Sequence, residues 1–104
     1  MLAKKELLHK SKLILNSGLV REIVIWRVPQ NKNYPEGIKY RMLLVDPHWK
    51  KVLVLLDNDA PKGHHRHDSI GGEFPYRFIS VKLLVEDFLR LELIQEKQYE
   101  NNEN

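Results

Sequence analysis

The chain has 104 residues, 42% of them hydrophobic and 30% charged, which predicts one globular domain over residues 1–104 with a single small core. With 17 Lys and Arg against 14 Asp and Glu, the formal charge is +3, a mild basic bias that permits a nucleic-acid partner without requiring one. The sequence contains no cysteine, which excludes disulfides, thiolate catalysis and cysteine metal sites.

The first 18 residues carry lysines, but their apolar stretch is interrupted by the polar segment 9–12. This pattern favours neither a secretory signal nor a membrane span. We therefore expect a cytoplasmic bacterial or archaeal protein with no membrane partner, and the pattern allows a short N-terminal helix.

Two hairpins are predicted next. The runs KLILN and VREIVIWRV flank the turn Asn16–Gly18, and IKYRMLLVD and KVLVLLD flank the turn DPHWKK. Strand alternation separates Val24 and Trp26, expected in the core, from Ile23, Ile25 and two arginines on a partly basic face. Lys39 and Arg41 share one face of the third strand.

A loop of about 20 residues follows Asp57, and FPYRF then suggests a short edge strand. Ser80 is a good helix N-cap, and apolar residues at helical spacing predict a long helix. The core side of that helix is expected to carry Val81, Leu84, Val85, Phe88 and Leu91. Leu83, Leu93 and Ile94 project from the opposite side, where another protein or a second copy would cover them. Residues 98–104 are expected to form a disordered tail.

These elements predict an α+β fold in which an antiparallel sheet of about four strands, built from two hairpins, packs against a long C-terminal helix. The loop with the histidines is expected at one end of the sheet.

The loop concentrates histidines at positions 64, 65 and 67 around Arg66. In an extended segment His65 and His67 point to one side, and His64 and Arg66 point to the other. One hypothesis is metal-independent RNA cleavage with His65 and His67 as base and acid, because histidines titrate near neutrality. The same hypothesis assigns Arg66 to the catalytic group as a phosphate ligand. The residues proposed to bind phosphate or RNA beside these are Lys62, His64, Tyr40 and Tyr76.

Two alternatives involve no turnover. A metal would be bound by His65, His67 and Asp57, because His-x-His is a usable chelate, although we expect neither a metal nor another cofactor. The loop could instead bind a nucleotide or nucleic acid through its histidines, Arg66 and backbone amides. An ordinary structural explanation stands beside these hypotheses, since such a motif is often a solvated turn.

The order of motifs resembles the TumE family of toxin-antitoxin proteins. The similar segments include IVIWRVP, IKYRMLLV, DNDAPKGHHRH, GGEFPYRF and SVKLLVEDFL, and the similarity extends over roughly Ser11 to Leu91. The most specific matches are Asp57 and Asn58, Lys62 and Gly63, His65 to His67, and Pro75, Tyr76 and Phe78. His64 stands where the family usually has an aspartate.

The resemblance implies a small cytoplasmic toxin encoded beside an antitoxin with a DNA-binding helix-turn-helix. It does not by itself imply a catalytic mechanism. The ribonuclease hypothesis therefore depends on the residue chemistry and on the fact that such toxins commonly attack RNA. The outer face of the helix and an exposed edge strand are the expected docking surfaces for the antitoxin, and a homodimer remains open.

Overall fold

The computed structural model of the protein describes residues 4–102. Six strands form one antiparallel sheet whose spatial order is the chain order. The strands are β1 (Glu6–Ile14), β2 (Val20–Arg27), β3 (Ile38–Asp46), β4 (Lys51–Asp57), β5 (His65–His67) and β6 (Glu73–Pro75). A single helix, α1 (Val81–Asn102), follows them.

The predicted α+β class and both hairpins are confirmed, whereas the sheet has six strands instead of about four. The short N-terminal helix is wrong, since β1 occupies this region and pairs with β2 along its length. β1 is an edge strand whose apolar side chains remain largely exposed. They are Leu7, Leu8, Leu13 and Ile14.

The core lies between one face of the sheet and α1. Register pairs Ile23 with Met42 and Met42 with Leu56, so these buried side chains form one row on the face that packs against the helix. Leu84 and Phe88 of α1 are fully buried against this face. The helix therefore covers one face of the sheet and leaves the other, which we call the open face.

The face assignment of β2 differs from the prediction. Ile23 and Ile25 are 6% and 4% exposed and belong to the core, while Trp26 lies half-buried on the open face. Arg21 shares the core face because Glu92 of α1 neutralises it: the Arg21 Nε donates to Glu92 Oε2 at 2.7 Å.

The helix begins after Ser80, whose Oγ accepts the backbone N–H of Leu83 at 3.2 Å, as expected for an N-cap. It continues through 98–102, where the sequence predicted a disordered tail; residues 103 and 104 lie outside the described part of the chain. The added turn is anchored by Tyr99, whose hydroxyl donates to Asp46 Oδ2 at 2.6 Å. No helix within residues 4–102 is long and apolar enough to cross a membrane.

Candidate functional site

The loop after β4 folds back so that its histidines join the sheet. Gly63 and Gly71 take positive φ angles of 74° and 85° on either side of β5, a conformation that costs glycine little. Asp68 closes the β5–β6 turn, since its Oδ1 accepts the N–H groups of Ile70 at 3.0 Å and Gly72 at 2.7 Å. The histidine-rich segment is therefore a three-residue strand held between two turns.

Asn58 fixes the exit from β4. It is 2% exposed; its Oδ1 accepts the N–H of Tyr40 at 2.9 Å, and its Nδ2 donates to the Ile38 carbonyl at 2.8 Å. This side chain replaces strand hydrogen bonds where the backbone leaves the sheet. Asn58 is thus structural, and it sets the position of the loop that follows.

His65 is buried on the open-face side of β5. Its register partner is Asp57, and the His65 Nε2 lies 3.0 Å from Asp57 Oδ1. The other ring nitrogen, Nδ1, lies 2.8 Å from the Gly63 carbonyl oxygen. Contacts of its two ring nitrogens with the Gly63 carbonyl and the Asp57 carboxylate therefore hold His65 in a fixed orientation.

His67 lies on the same side and is more accessible, with 29% of its side chain exposed. Its ring stands edge-on to that of His65, with centroids 5.0 Å apart, and its Nε2 is 3.9 Å from Glu73 Oε1. That separation exceeds a hydrogen bond. Lys62 donates to Glu73 Oε1 at 2.9 Å, and this bond lowers the pKa of the Glu73 carboxyl. A histidine, an anion and a cation therefore meet at an accessible sheet edge.

His64 faces the other side of the sheet. Its Nδ1 is 2.8 Å from the Tyr40 hydroxyl, its Nε2 is 3.0 Å from Glu36 Oε1, and its ring stacks on Phe78 at 4.9 Å. A neutral ring that donates to Glu36 and accepts from Tyr40 satisfies both contacts. Burial raises the pKa of Tyr40, so its hydroxyl stays protonated.

Arg66 and Tyr76 are also separated from His65 and His67. The Arg66 guanidinium lies on the helix side, 5.1 Å from the centroid of the Phe74 ring, as strand alternation predicts. The Tyr76 hydroxyl donates to Asp87 Oδ2 of α1 at 2.6 Å. The structure thus brings Lys62 and Asp57 to the histidine pair, but not Arg66, His64, Tyr40 or Tyr76. A single phosphate contacted by Arg66 and both histidines is incompatible with this arrangement.

Two residues to which the sequence-based hypotheses gave no central role, Arg41 on the face of Lys39 and Glu73 as one of several possible oxygen ligands, lie on the side of His65 and His67. Arg41 is the register partner of Asp57, and Glu73 is the register partner of His67. The alternation of β3 indicates the face of Arg41, but only the strand order and register show that this face carries the histidines.

The open face leads from the first strand to the histidine pair. Two rows of side chains cross the six strands in register, at about 4.8 Å per strand. One row is Lys10, Val24, Arg41, Asp57, His65 and Pro75, and the next is Lys12, Glu22, Leu43, Leu55, His67 and Glu73. Trp26 and Lys39 pair beside the first row, and the Nζ of Lys5 lies 4.1 Å from the centroid of a Trp26 ring.

Shallow depressions on this face are lined by Lys10, Lys12, Val24, Arg41 and Leu43, and continue to Trp26 and Lys39. Two carboxylates also line them, Glu22 beside Lys12 and Asp59 beside Lys39. Cations, two of them paired with these acids, and half-buried apolar groups therefore share an accessible surface. Such a surface can bind a polyanion that also offers flat apolar rings.

The sequence model of the family described as Toxin TumE matches residues 4–98, nearly the whole chain. The chain belongs to the TumE toxin family. No curated protein and no solved structure shows significant similarity to it.

Membership of the TumE family assigns the protein a toxin function and indicates an antitoxin partner. The match includes all six strands and the first 18 residues of α1, so His64, His65 and His67 and their contacts lie inside the segment that the family model covers.

Proposed function

We propose that this TumE toxin acts on RNA as a metal-independent endoribonuclease, with the open face as the RNA-binding surface and His67 as the reacting group. The proposal depends chiefly on one observation: the open face, which carries Lys10, Arg41 and apolar side chains, continues in register to an accessible histidine beside a lysine.

RNA binding would use the cations and the tryptophan of the open face. Successive phosphates would be contacted by Lys10, Lys39 and Arg41, which share the open face. These contacts would supply most of the affinity, because charge neutralisation dominates the binding of nucleic acids. Trp26 can stack on an unpaired base, which favours single-stranded RNA over a duplex.

The reaction we propose starts from the 2′-hydroxyl of the RNA. His67 Nε2 removes the hydroxyl proton, the 2′-oxygen bonds to the adjacent phosphorus, and the bond from phosphorus to the 5′-oxygen breaks. Lys62, together with His65 when both of its ring nitrogens carry a proton, would stabilise the negative charge that develops on the phosphate oxygens. The leaving 5′-oxygen takes a proton from water, and the hydroxide that remains takes the proton held by His67, which returns the histidine to its neutral form.

In this mechanism His67 takes the role of base that the sequence-based hypothesis gave to His65, and His65 transfers no proton. Both of its nitrogens are engaged by Gly63 and Asp57, whereas His67 is free to meet a substrate. Arg66 is not included, because it lies on the helix side of β5.

The test compares wild type with His67→Ala and with His48→Ala, a matched control on an exposed turn. Purified proteins are incubated with a single-stranded RNA in the presence of a chelator. We expect His67→Ala to cleave about 10²- to 10⁴-fold more slowly at unchanged circular dichroism, the usual contribution of a general base. His48→Ala should match wild type.

Equal cleavage by His67→Ala and wild type would eliminate the mechanism. Salt-dependent RNA binding without any product from wild type would instead favour the non-enzymatic binding alternative. In that assay Arg41→Ala should weaken binding and reduce the salt slope by about 1.

We also propose that the antitoxin, a helix-turn-helix protein, docks on the outer face of α1. Leu83, Leu93 and Ile94 are 38%, 52% and 46% exposed there, and covering them would bury apolar area. Ile94 also lines a small cavity with Arg66 and His67, so a partner on this face would come close to β5. A homodimer through the same face is the competing occupant.

A further inference from the structure

Three side chains of β5 and β6 on the open face, those of His65, His67 and Glu73, point toward one another. His65 and His67 are two residues apart on one strand, and Glu73 is the register partner of His67 on the next. One potential ligand atom from each of the three lies within 4.8 Å of the other two. Two imidazoles and a carboxylate on one side of an antiparallel pair can therefore reach a common point.

The hydrogen bonds of His65 suit metal binding. A metal-ligating histidine needs its other ring nitrogen to donate to a carbonyl or carboxylate, and the Gly63 carbonyl accepts from Nδ1 at 2.8 Å. This leaves Nε2 as the ligand atom. Asp57 Oδ1, 3.0 Å from that Nε2, is placed either to add an oxygen ligand or to balance the charge of a cation that replaces the proton.

The distances require only small movements. His67 Nε2 and Glu73 Oε1 are 3.9 Å apart, whereas two ligands of one tetrahedral zinc ion are separated by about 3.3 Å. Lys62 now bonds to Glu73, but 59% of the lysine side chain is exposed, so it can turn away to solvent at low cost.

We propose that His65, His67 and Glu73 form a binding site for a divalent transition-metal ion, with zinc as the best match to two nitrogens and one oxygen. The metal-binding alternative drawn from the sequence had Asp57 as the third ligand, and this set has Glu73 in its place. The bound ion takes the lone pair of His67, so it switches off RNA cleavage; this second statement rests on the proposed function.

Binding is measured first, without RNA. The full chain, expressed without a histidine tag and stripped with a chelator, is titrated with zinc against a chromophoric indicator. We expect one zinc ion per chain. Glu73→Gln, which keeps the size of an exposed side chain, and His67→Ala should each weaken binding by more than the roughly 10- to 100-fold typical of losing an outer-shell partner. His9→Ala and His48→Ala are the controls, because each removes one histidine, as His67→Ala does, but neither residue belongs to the proposed site.

Zinc affinity that is equal in wild type, Glu73→Gln and His67→Ala would overturn the metal site, as would equal loss in the two control variants. Circular dichroism of each variant separates loss of the site from loss of the fold, and the exposed Glu73→Gln change keeps the test decisive if His67→Ala is unstable.

RNA cleavage is then measured with and without one equivalent of zinc, relative to each variant's own metal-free rate. Inhibition of wild type that is absent in Glu73→Gln supports the switch. Site-specific zinc binding by a protein that cleaves no RNA keeps the metal site and overturns the ribonuclease proposal. Chelator-resistant cleavage without zinc binding overturns the metal site alone, and cleavage that requires zinc overturns the inhibitory role.

Discussion

Removing one partner of the Arg21–Glu92 ion pair should destabilise the fold more than removing one partner of any exposed ion pair in residues 4–102. The Glu92 side chain is 6% exposed and that of Arg21 23%, and two parallel hydrogen bonds join them. The contact raises the pKa of Arg21, chiefly through the hydrogen bond to Glu92. Glu92→Gln removes the negative charge and leaves a mostly buried guanidinium without its counterion.

Removing one partner of a buried pair costs about 3 to 5 kcal/mol, and the partial exposure of Arg21 favours the lower end, about 3 kcal/mol. For a domain of this size that loss lowers the melting temperature by about 12 to 24 °C. Replacing both partners, in the double variant Arg21→Met with Glu92→Leu, should recover most of the stability because no buried charge remains.

Urea unfolding followed by circular dichroism measures these differences. Glu22→Gln is the matched control, since the Lys12–Glu22 pair has side chains 69% and 39% exposed, and such pairs contribute about 1 kcal/mol or less. If Glu92→Gln loses no more stability than Glu22→Gln, the assignment of a buried, stabilising contact between β2 and α1 is incorrect. A double variant as unstable as Glu92→Gln would contradict the charge-burial explanation.

Two further predictions concern the end of the helix and its outer face. Tyr99 lowers the pKa of Asp46 through the hydroxyl hydrogen bond, while burial and this bond raise the pKa of Tyr99 to about 12. A depressed carboxyl pKa stabilises the fold above the ordinary aspartate value of 3.8, and this contribution is lost as the pH falls further. Tyr99→Phe should therefore lower the free energy of unfolding most near neutral pH. The difference between variant and wild type should become smaller in acid, and also above pH 10 as the tyrosine ionises. A difference that does not change with pH would refute this role of the hydrogen bond. Leu93→Glu should abolish binding of the antitoxin, measured by co-purification, while growth arrest by the toxin alone persists; unchanged co-purification would exclude this face.

The strands and helix that the sequence predicted are those with a long, regular hydrophobic pattern. β2, β3, β4 and α1 bury one side, so their apolar residues recur with periods of two or about 3.6. Of β1 only the end from Lys12 was predicted, because nearly all of its residues are exposed, and exposure leaves no alternation to detect. β5 has three residues, too few to show a period, whereas β6 overlaps the edge strand predicted for FPYRF.

The candidate site was predictable in composition but not in arrangement. Strand alternation separates His65 from Arg66, and the sequence contains that information. The pairing of His67 with Glu73 depends on the length of the turn that Asp68 closes, and the proximity of Arg41 depends on the order of the strands. Neither can be worked out from local patterns, because both depend on tertiary register.

The meander order of the sheet has a consequence for synthesis of the toxin on the ribosome. Each strand pairs with the strand made just before it, so the sheet can assemble progressively as the chain emerges. The helix that covers Met42, Leu44 and Leu56 is made last. A nascent chain ending before residue 81 therefore carries its histidine pair on a sheet whose apolar side faces water, which favours aggregation. Completion of α1 is thus the step at which translation yields a stable toxin, and interrupted translation yields a chain prone to aggregate.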